Sequence, residues 1–180
     1  MGTIRCSAFL AMSLDGFIAR EDGRVDWLSP YEGLPEDHGY RAFWEAIDAI
    51  VVGRTTYEMV LGFERWPYAG KRCVVLTRRP GPSRHGEEFL SGSPAEIADQ
   101  LARTGARRAY VDGGAVVSAF LAAGRLDDLT VTVVPLILGS GIRLFQGDVG
   151  ERPLCLESSQ AFPSGLVQLR YRLDQDAPPA

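Results

Sequence analysis

The chain has 180 residues, 46% of them hydrophobic and 23% charged, and 19 Lys and Arg against 23 Asp and Glu give a net charge of −4. This is the composition and size of one globular domain, able to bury roughly 70% of its unfolded surface, and it excludes gross disorder and fibrous repeats. An acidic balance disfavours nucleic acid and anionic membrane as partners, and no apolar run is long enough to span a bilayer.

Strands and helices alternate along the sequence. Residues 5–12 read as a first strand, followed by a long loop with Gly and Asp running to about Pro35. Tyr40, Phe43, Trp44 and Ile47 fall at i, i+3, i+4 and i+7, one apolar helical face. Residues 49–53 form a short buried strand, and 55–62 a helix with Thr55 and Glu58 at capping-box spacing. Residues 72–77 form another buried strand. Ser93-Pro94-Ala95-Glu96 opens the next helix, with a Ser cap, Pro in the first turn and Glu completing the box. That helix stops near Gly105. A strand over 108–111, a helix over 115–123 and a strand over 128–134 follow. The last strand alternates Leu129, Val131 and Val133 with Thr130 and Thr132. Residues 155–161 and 166–173, separated by Pro163-Ser164-Gly165, form an antiparallel hairpin. The expectation is α/β: a three-layer αβα domain with a mixed, mostly parallel sheet of about eight or nine strands and a C-terminal hairpin. Residues 1–173 make this one domain, and 174–180 a flexible tail.

Metal and nucleophile chemistry have little support. Cys6, Cys73 and Cys155 stand far apart, and neither His38 nor His85 has a second ligand at trustworthy spacing. No G-x-S-x-G elbow occurs. No metal is expected, so a bound cofactor would carry the reaction of an enzyme. The unpaired cysteines and the absence of an apolar signal stretch predict a cytoplasmic location.

Three strand-to-helix junctions stand out: Gly53-Arg54-Thr55-Thr56, Thr77-Arg78-Arg79 and Asp112-Gly113-Gly114-Ala115. In a parallel sheet all three lie on the rim at the strands' carboxyl ends, where ligands of open α/β sheets bind. Helix N-termini there suit phosphate, and Gly113 and Gly114 let a pyrophosphate approach the backbone. Arg54, Arg78 and Arg79 add fixed positive charge, and the arginine pair favours a 2′-phosphate, hence NADP over NAD. Each feature also has a plain structural explanation, as a tight turn, a cap or a solvated loop. A fourth feature is the stretch around Asp15-Gly16 and Phe17, leading to Trp27. It is either a structural turn with Phe17 in the core, or a loop closing over a ligand with Trp27 as an aromatic wall. Asp37, near the start of the first helix, is either a surface group matching the helix dipole or a carboxylate facing a substrate pocket.

These motifs resemble the dihydrofolate reductase-like superfamily, closest to the reductase domain of the riboflavin-biosynthesis deaminase-reductase. The carriers are Ser13-Leu14-Asp15-Gly16, Val52-Gly53-Arg54-Thr55-Thr56-Tyr57-Glu58, Val111-Asp112-Gly113-Gly114 and Pro135-Leu136-Ile137-Leu138-Gly139-Ser140-Gly141, in this order over residues 3–173. The resemblance implies NADPH as hydride donor. It implies that Gly53, Arg54 and Thr55 hold phosphates, and that Thr77 and Arg78 approach the 2′-phosphate. Gly113, Gly114 and Ala115 would cradle the pyrophosphate, and Ala11 would lie by the nicotinamide. Leu138 and Gly139 would line the substrate pocket or a dimer contact. Asp15, Phe17 and Trp27 would belong to the substrate side, with Asp37 as a candidate acid. The riboflavin reductase domain carries lysines flanking its Ser-Leu-Asp-Gly motif where this chain has Phe9 and Phe17, so an anionic phosphoribosyl substrate is less well served. The expected activity is hydride transfer to a flat heteroaromatic, imine or carbonyl substrate by a homodimer. The alternative is a nucleotide- or flavin-binding module without turnover.

Overall fold

The computed structural model describes residues 3–173; the predicted tail lies outside them. Runs of β-branched and small apolar residues build the centre of the sheet. β1 (Arg5–Ser13), β3 (Ala49–Gly53), β4 (Arg72–Leu76), β5 (Glu88–Leu90), β6 (Arg108–Asp112) and β7 (Asp128–Val134) are mutually parallel. β9 (Leu154–Ala161) and β10 (Val167–Leu173) close the sheet as an antiparallel pair, giving the order β5-β4-β3-β6-β1-β7-β10-β9. β2 (Phe17–Ala19) and β8 (Ile142–Arg143) form a separate two-stranded ribbon.

The crossover helices cover both faces. α3 (Pro94–Arg103) and α4 (Gly114–Ala122) pack Ile97, Leu101, Val117 and Phe120 on Ala8, Val51, Val74 and Val111. α1 (Tyr40–Ala46) and α2 (Arg54–Val60) pack Phe43, Tyr57 and Val60 on Ile50, Val52, Val75 and Phe9 of the other face. Burial of both faces explains why β3, β4 and β6 read as continuous apolar runs. Cys6 and Cys73 are buried core residues, as their setting suggested, and burial pushes both thiols up to about 12.

Several local expectations are corrected. Thr55 and Glu58 make no capping box: α2 starts at Arg54 with Gly53 as N-cap and no side-chain cap. Glu58 instead accepts from Arg54 Nε at 2.6 Å, one turn back on the same helix face. The Ser93–Glu96 box of α3 is present. The long loop before Pro35 contains β2 and a 3₁₀ turn over Asp26–Tyr31. Strands of two or three residues (β2, β5, β8) are too short for a period to show. β7 does not alternate in burial. Thr130 and Thr132 are as buried as its valines, because β1 and β10 flank it and Gln168 Nε2 satisfies Thr132 Oγ1 at 3.0 Å. β9 is exposed along all eight residues.

At the opposite end from the β-to-α junctions, Asp128 ties three strands together. It accepts from Arg5 Nε (2.6 Å), Ser7 Oγ (2.7 Å) and Arg108 Nη2 (3.1 Å). Asp128→Ala leaves two guanidinium groups without their carboxylate. Both arginines keep some solvent, so the expected loss is about 3 kcal/mol, at the low end for a broken buried pair. A chemical denaturation midpoint unchanged from wild type contradicts this.

Candidate active site

The register places the three junction motifs together. β4, β3 and β6 are neighbours and parallel, so Thr77, Gly53 and Gly113 follow three adjacent strand ends on one rim. The junctions also touch. Arg54 Nη1 donates to the Arg79 carbonyl at 2.6 Å, and the Arg79 amide donates to Thr77 Oγ1 at 3.1 Å. Gly113 has φ 92°, and a Cβ there would collide with the Thr56 hydroxyl of α2. A Cβ on Gly114 would lie 2.5 Å from the Arg143 carbonyl. Close packing therefore already demands both glycines. Their sequence signal is a packing signal first.

The helix starts differ in a way that bears on ligands. Ser93 caps α3, and the Asp37 carboxylate takes the Gly39 and Arg41 amides at the start of α1. α4, nine residues long, begins at Gly114 with no side-chain cap. Its first amides sit beside exposed Ala115 and buried Gly113. Arg54, Thr55, Arg78 and Arg79 are exposed on this rim. The loop after Arg79 is pinned by Glu87, buried under Tyr57. Burial opposes its charge, but bonds from the Tyr57 hydroxyl and the Arg84 and His85 amides outweigh that and hold the carboxyl at about 2. Asp112 accepts from Tyr68 at 2.8 Å, and burial nonetheless raises its carboxyl above the usual range.

One strand beyond β6, the ends of β1 and β7 floor a cleft of about 210 Å³. Ala11 and Thr132 lie side by side in its floor, with Phe9, Tyr31 and Tyr40 as aromatic walls. Asp37 and Glu32 stand in its lining. Two expected site residues, Ala11 and Asp37, are thus brought to one cavity. Asp37 is not poised as an acid: the Gly39 and Arg41 amides hold its carboxyl below the usual carboxylate range.

The remaining substrate-side residues sit elsewhere. Trp27 is no wall of the cleft. It is 5% exposed and packs behind it against Val134 and Leu166, while its neighbours Leu28 and Tyr31 line the cavity. Phe17 is buried in β2, with the Arg143 guanidinium 4.7 Å from its ring centre. Asp15 binds the Leu138 and Gly139 amides (3.0 and 2.7 Å) and the Ser13 hydroxyl (2.6 Å). Asp15, Leu138 and Gly139 therefore form one clamp joining the loop after β1 to the loop after β7. Thr132, Tyr40, Glu32 and His38 were not singled out for a ligand. Tyr40 carried only a helical period, and nothing in the local sequence marks the others.

A mostly parallel sheet between two helical layers, with an arginine-bearing rim and a neighbouring cleft at the strand ends, is an α/β architecture of the dihydrofolate reductase type. Dihydrofolate reductase from Enterococcus faecalis, solved in complex with NADP(H) and RAB-propyl, shares this fold at TM-score 0.66 and 17% identity, over 94% of this chain and 96% of that one. The chain belongs to the RibD C-terminal domain family, whose model matches residues 6–168. Among its relatives, the uncharacterised protein YwjB of Bacillus subtilis (strain 168) is 36% identical, over 91% of this chain and 94% of YwjB. A solved structure from Shewanella sp. PV-4, named for riboflavin biosynthesis, aligns at TM-score 0.87 and 30% identity, over 95% of this chain and 99% of that one.

The Asp15 clamp has a defined pH response. Bonds from Ser13, Leu138 and Gly139 lower its carboxyl to about 2, so its contribution is complete above the ordinary Asp value of about 3.9 and is lost only as pH falls through about 2. The Leu138 and Gly139 amides should stay protected from hydrogen exchange down to pH 4 and lose that protection in Asp15→Ala. Equal protection in the variant contradicts the clamp.

Proposed function

We propose that the protein is an NADPH-dependent reductase that passes hydride to a small flat heteroaromatic, imine or carbonyl substrate in the cleft over Ala11 and Thr132. The observation that carries this reading is the pairing of two unlike places on one sheet end. An uncapped helix start with exposed Arg54, Arg78 and Arg79 lies beside a small, largely apolar cleft. Membership of the RibD C-terminal domain family and the fold shared with an NADP(H)-bound reductase support it.

The residues present fit this cofactor. The free amides at the start of α4 and the guanidinium groups of Arg54 and Arg78 are donors of the kind phosphates take. Ala11, carrying only a methyl group, leaves room over the sheet for a planar ring. When bound, NADPH supplies the hydride. The chain's own part is to orient the substrate ring, to keep the aromatic walls around it dry, and to admit a proton. Asp37, held ionised, orients the substrate, and water entering past Glu32 and Asp37 delivers the proton.

A second copy of the chain completes the proposal. β9 is an edge strand exposed along all eight residues, with Leu156 at 56% exposure, and such an edge invites pairing. Sedimentation as a dimer that Leu156→Lys converts to monomer is the expected result.

Isothermal titration with NADPH and NADH tests the core of the reading. NADPH is expected to bind more tightly, and Arg54→Ala with Arg78→Ala to weaken it by about tenfold or more, roughly the loss of one charge-assisted bond. Equal binding of NADPH by the double variant overturns the rim assignment. Binding without oxidation across a panel of pterins, flavins and quinones favours a module without turnover. With a turned-over substrate, Asp37→Asn should raise KM while kcat stays within about threefold, the pattern of lost ground-state orientation. A collapse of kcat makes Asp37 the proton donor instead.

A further inference from the structure

Glu87 is a buried carboxylate at the end of an exposed loop that carries Arg78, Arg79 and Arg84. Residues 78–86 lie between β4 and β5 and are exposed throughout, yet both arms of the loop are held. At the first arm, Arg54 Nη1 of α2 donates to the Arg79 carbonyl, and the Arg79 amide donates to Thr77 Oγ1. At the second, Glu87 takes the Arg84 amide on one oxygen at 2.8 Å and the His85 amide on the other at 2.7 Å. The first oxygen also accepts from the Tyr57 hydroxyl of α2 at 2.5 Å. The His85 ring stacks on Trp66 at 4.4 Å and 14°, and Trp66 packs edge-on against Tyr57. Both arms are thus fastened to the helix whose first turn bears Arg54 and Thr55.

The chemistry of this anchor leaves the arginines free. Burying a charge is costly, and buried carboxylates are ordinarily paired with a cation. Glu88, the next residue, pairs with Arg72 at 2.6 Å. Glu87 has no such pair among the described residues; amide and hydroxyl donors alone satisfy it. The anchor therefore neutralises no arginine. Arg54 pairs with Glu58, whereas Arg78, Arg79 and Arg84 have no carboxylate at ion-pair distance among the described residues. Unneutralised guanidinium groups on a fixed loop suit a phosphate dianion, because fork-shaped donors bond its oxygens in pairs. Holding the loop in advance removes the ordering cost that a mobile loop adds to binding.

We propose that Glu87 is the positioning residue that makes this rim select a 2′-phosphate: it fixes the second arm of the loop on α2 and so adds Arg84 to the phosphate-binding set as a specificity-determining residue. The inference deepens the NADPH reading and rests on it for the cofactor's place on this rim. Glu87 touches no ligand and acts through the Arg84 and His85 backbone. NADPH carries the 2′-phosphate and NADH lacks it, so the effect falls on the preference between them.

Adenosine 2′,5′-bisphosphate and adenosine 5′-phosphate are matched probes that differ only in the 2′-phosphate and need no turnover. Calorimetric titration of both into wild type, Glu87→Gln, Tyr57→Phe and Arg84→Ala tests the inference, with hydrogen exchange at the Arg84 and His85 amides in parallel. Wild type should bind the bisphosphate about tenfold more tightly or better, roughly one charge-assisted bond. Glu87→Gln should cut that preference to about threefold or less, with 5′-phosphate affinity unchanged and both amides exchanging faster. Arg84→Ala should lower the preference about as far. Tyr57→Phe, which leaves the amides on the carboxylate and cuts its tie to α2, should lower it by a smaller factor. Charge alone predicts the opposite sign, since Glu87→Gln removes a negative charge from near the phosphate. A preference that rises or stays the same in Glu87→Gln overturns the inference. So do equal binding of the probes by wild type, binding of neither, or a proportional loss of both in Glu87→Gln, the mark of a merely structural role. Should Glu87→Gln fail to fold, an unaltered preference in Arg84→Ala or Tyr57→Phe overturns it. NADPH oxidation keeps the two readings apart: the probe pattern intact without oxidation by any substrate sinks the reductase and leaves Glu87 standing, while turnover with an unaltered preference in Glu87→Gln does the reverse.

Discussion

Parallel pairing is the constraint from which the site follows. A parallel neighbour cannot be reached by a tight turn, so every connection among β1, β3, β4, β5, β6 and β7 must cross the sheet and return. Each strand therefore ends on the same rim. Gly53, Thr77 and Gly113 are far apart in sequence, yet they become neighbours because β4, β3 and β6 are adjacent. Nothing local needs to bring Arg54 to the Arg79 carbonyl; the register of Val52 on Val75 already does. The glycines then make the approach close, because Thr56 and the Arg143 backbone fill the space a methyl group would need.

The antiparallel end supplies what the parallel part cannot. β10 lies beside β7 with Gln168 opposite Thr132, and its side-chain amide reaches across to His38 before α1. One buried amide thus joins the last strand, a strand of the cleft floor and the loop forming the cleft wall. An unmade bond at such a position is costly, so this link fixes the loop more firmly than its polar sequence would. The hairpin, whose outer strand buries nothing, contributes to the site through this inner residue.

Much of the fold was legible in the sequence because its signals are local. The box at Ser93 and Glu96, the apolar runs of β3, β4 and β6, and the turn at Pro163-Ser164-Gly165 each depend on neighbours within a few residues. The Thr55–Glu58 spacing misled because an i, i+4 partner, Arg54, competes for the same carboxylate. Trp27 misled because an aromatic residue in a loop can face a ligand or a core, and only tertiary packing on Val134 and Leu166 decides. Asp37 and Ala11 were found, but the cleft between them was not. His38, Thr132 and Glu32 lie on three segments that only the sheet order unites. His38 has φ 54°, and a left-handed backbone is visible beforehand at glycine and invisible at histidine.

The electrostatics of the two halves of the site are opposed, and this opposition is informative in a chain of net charge −4. Exposed arginines gather at the rim beyond β3 and β4, while the cleft by β1 and β7 presents carboxylates and aromatic rings. A uniformly positive site would draw any phosphate into the cleft and block it. On the proposed function, separating the charges would let an anionic dinucleotide take one orientation, its phosphates toward the arginines and its uncharged end toward Ala11.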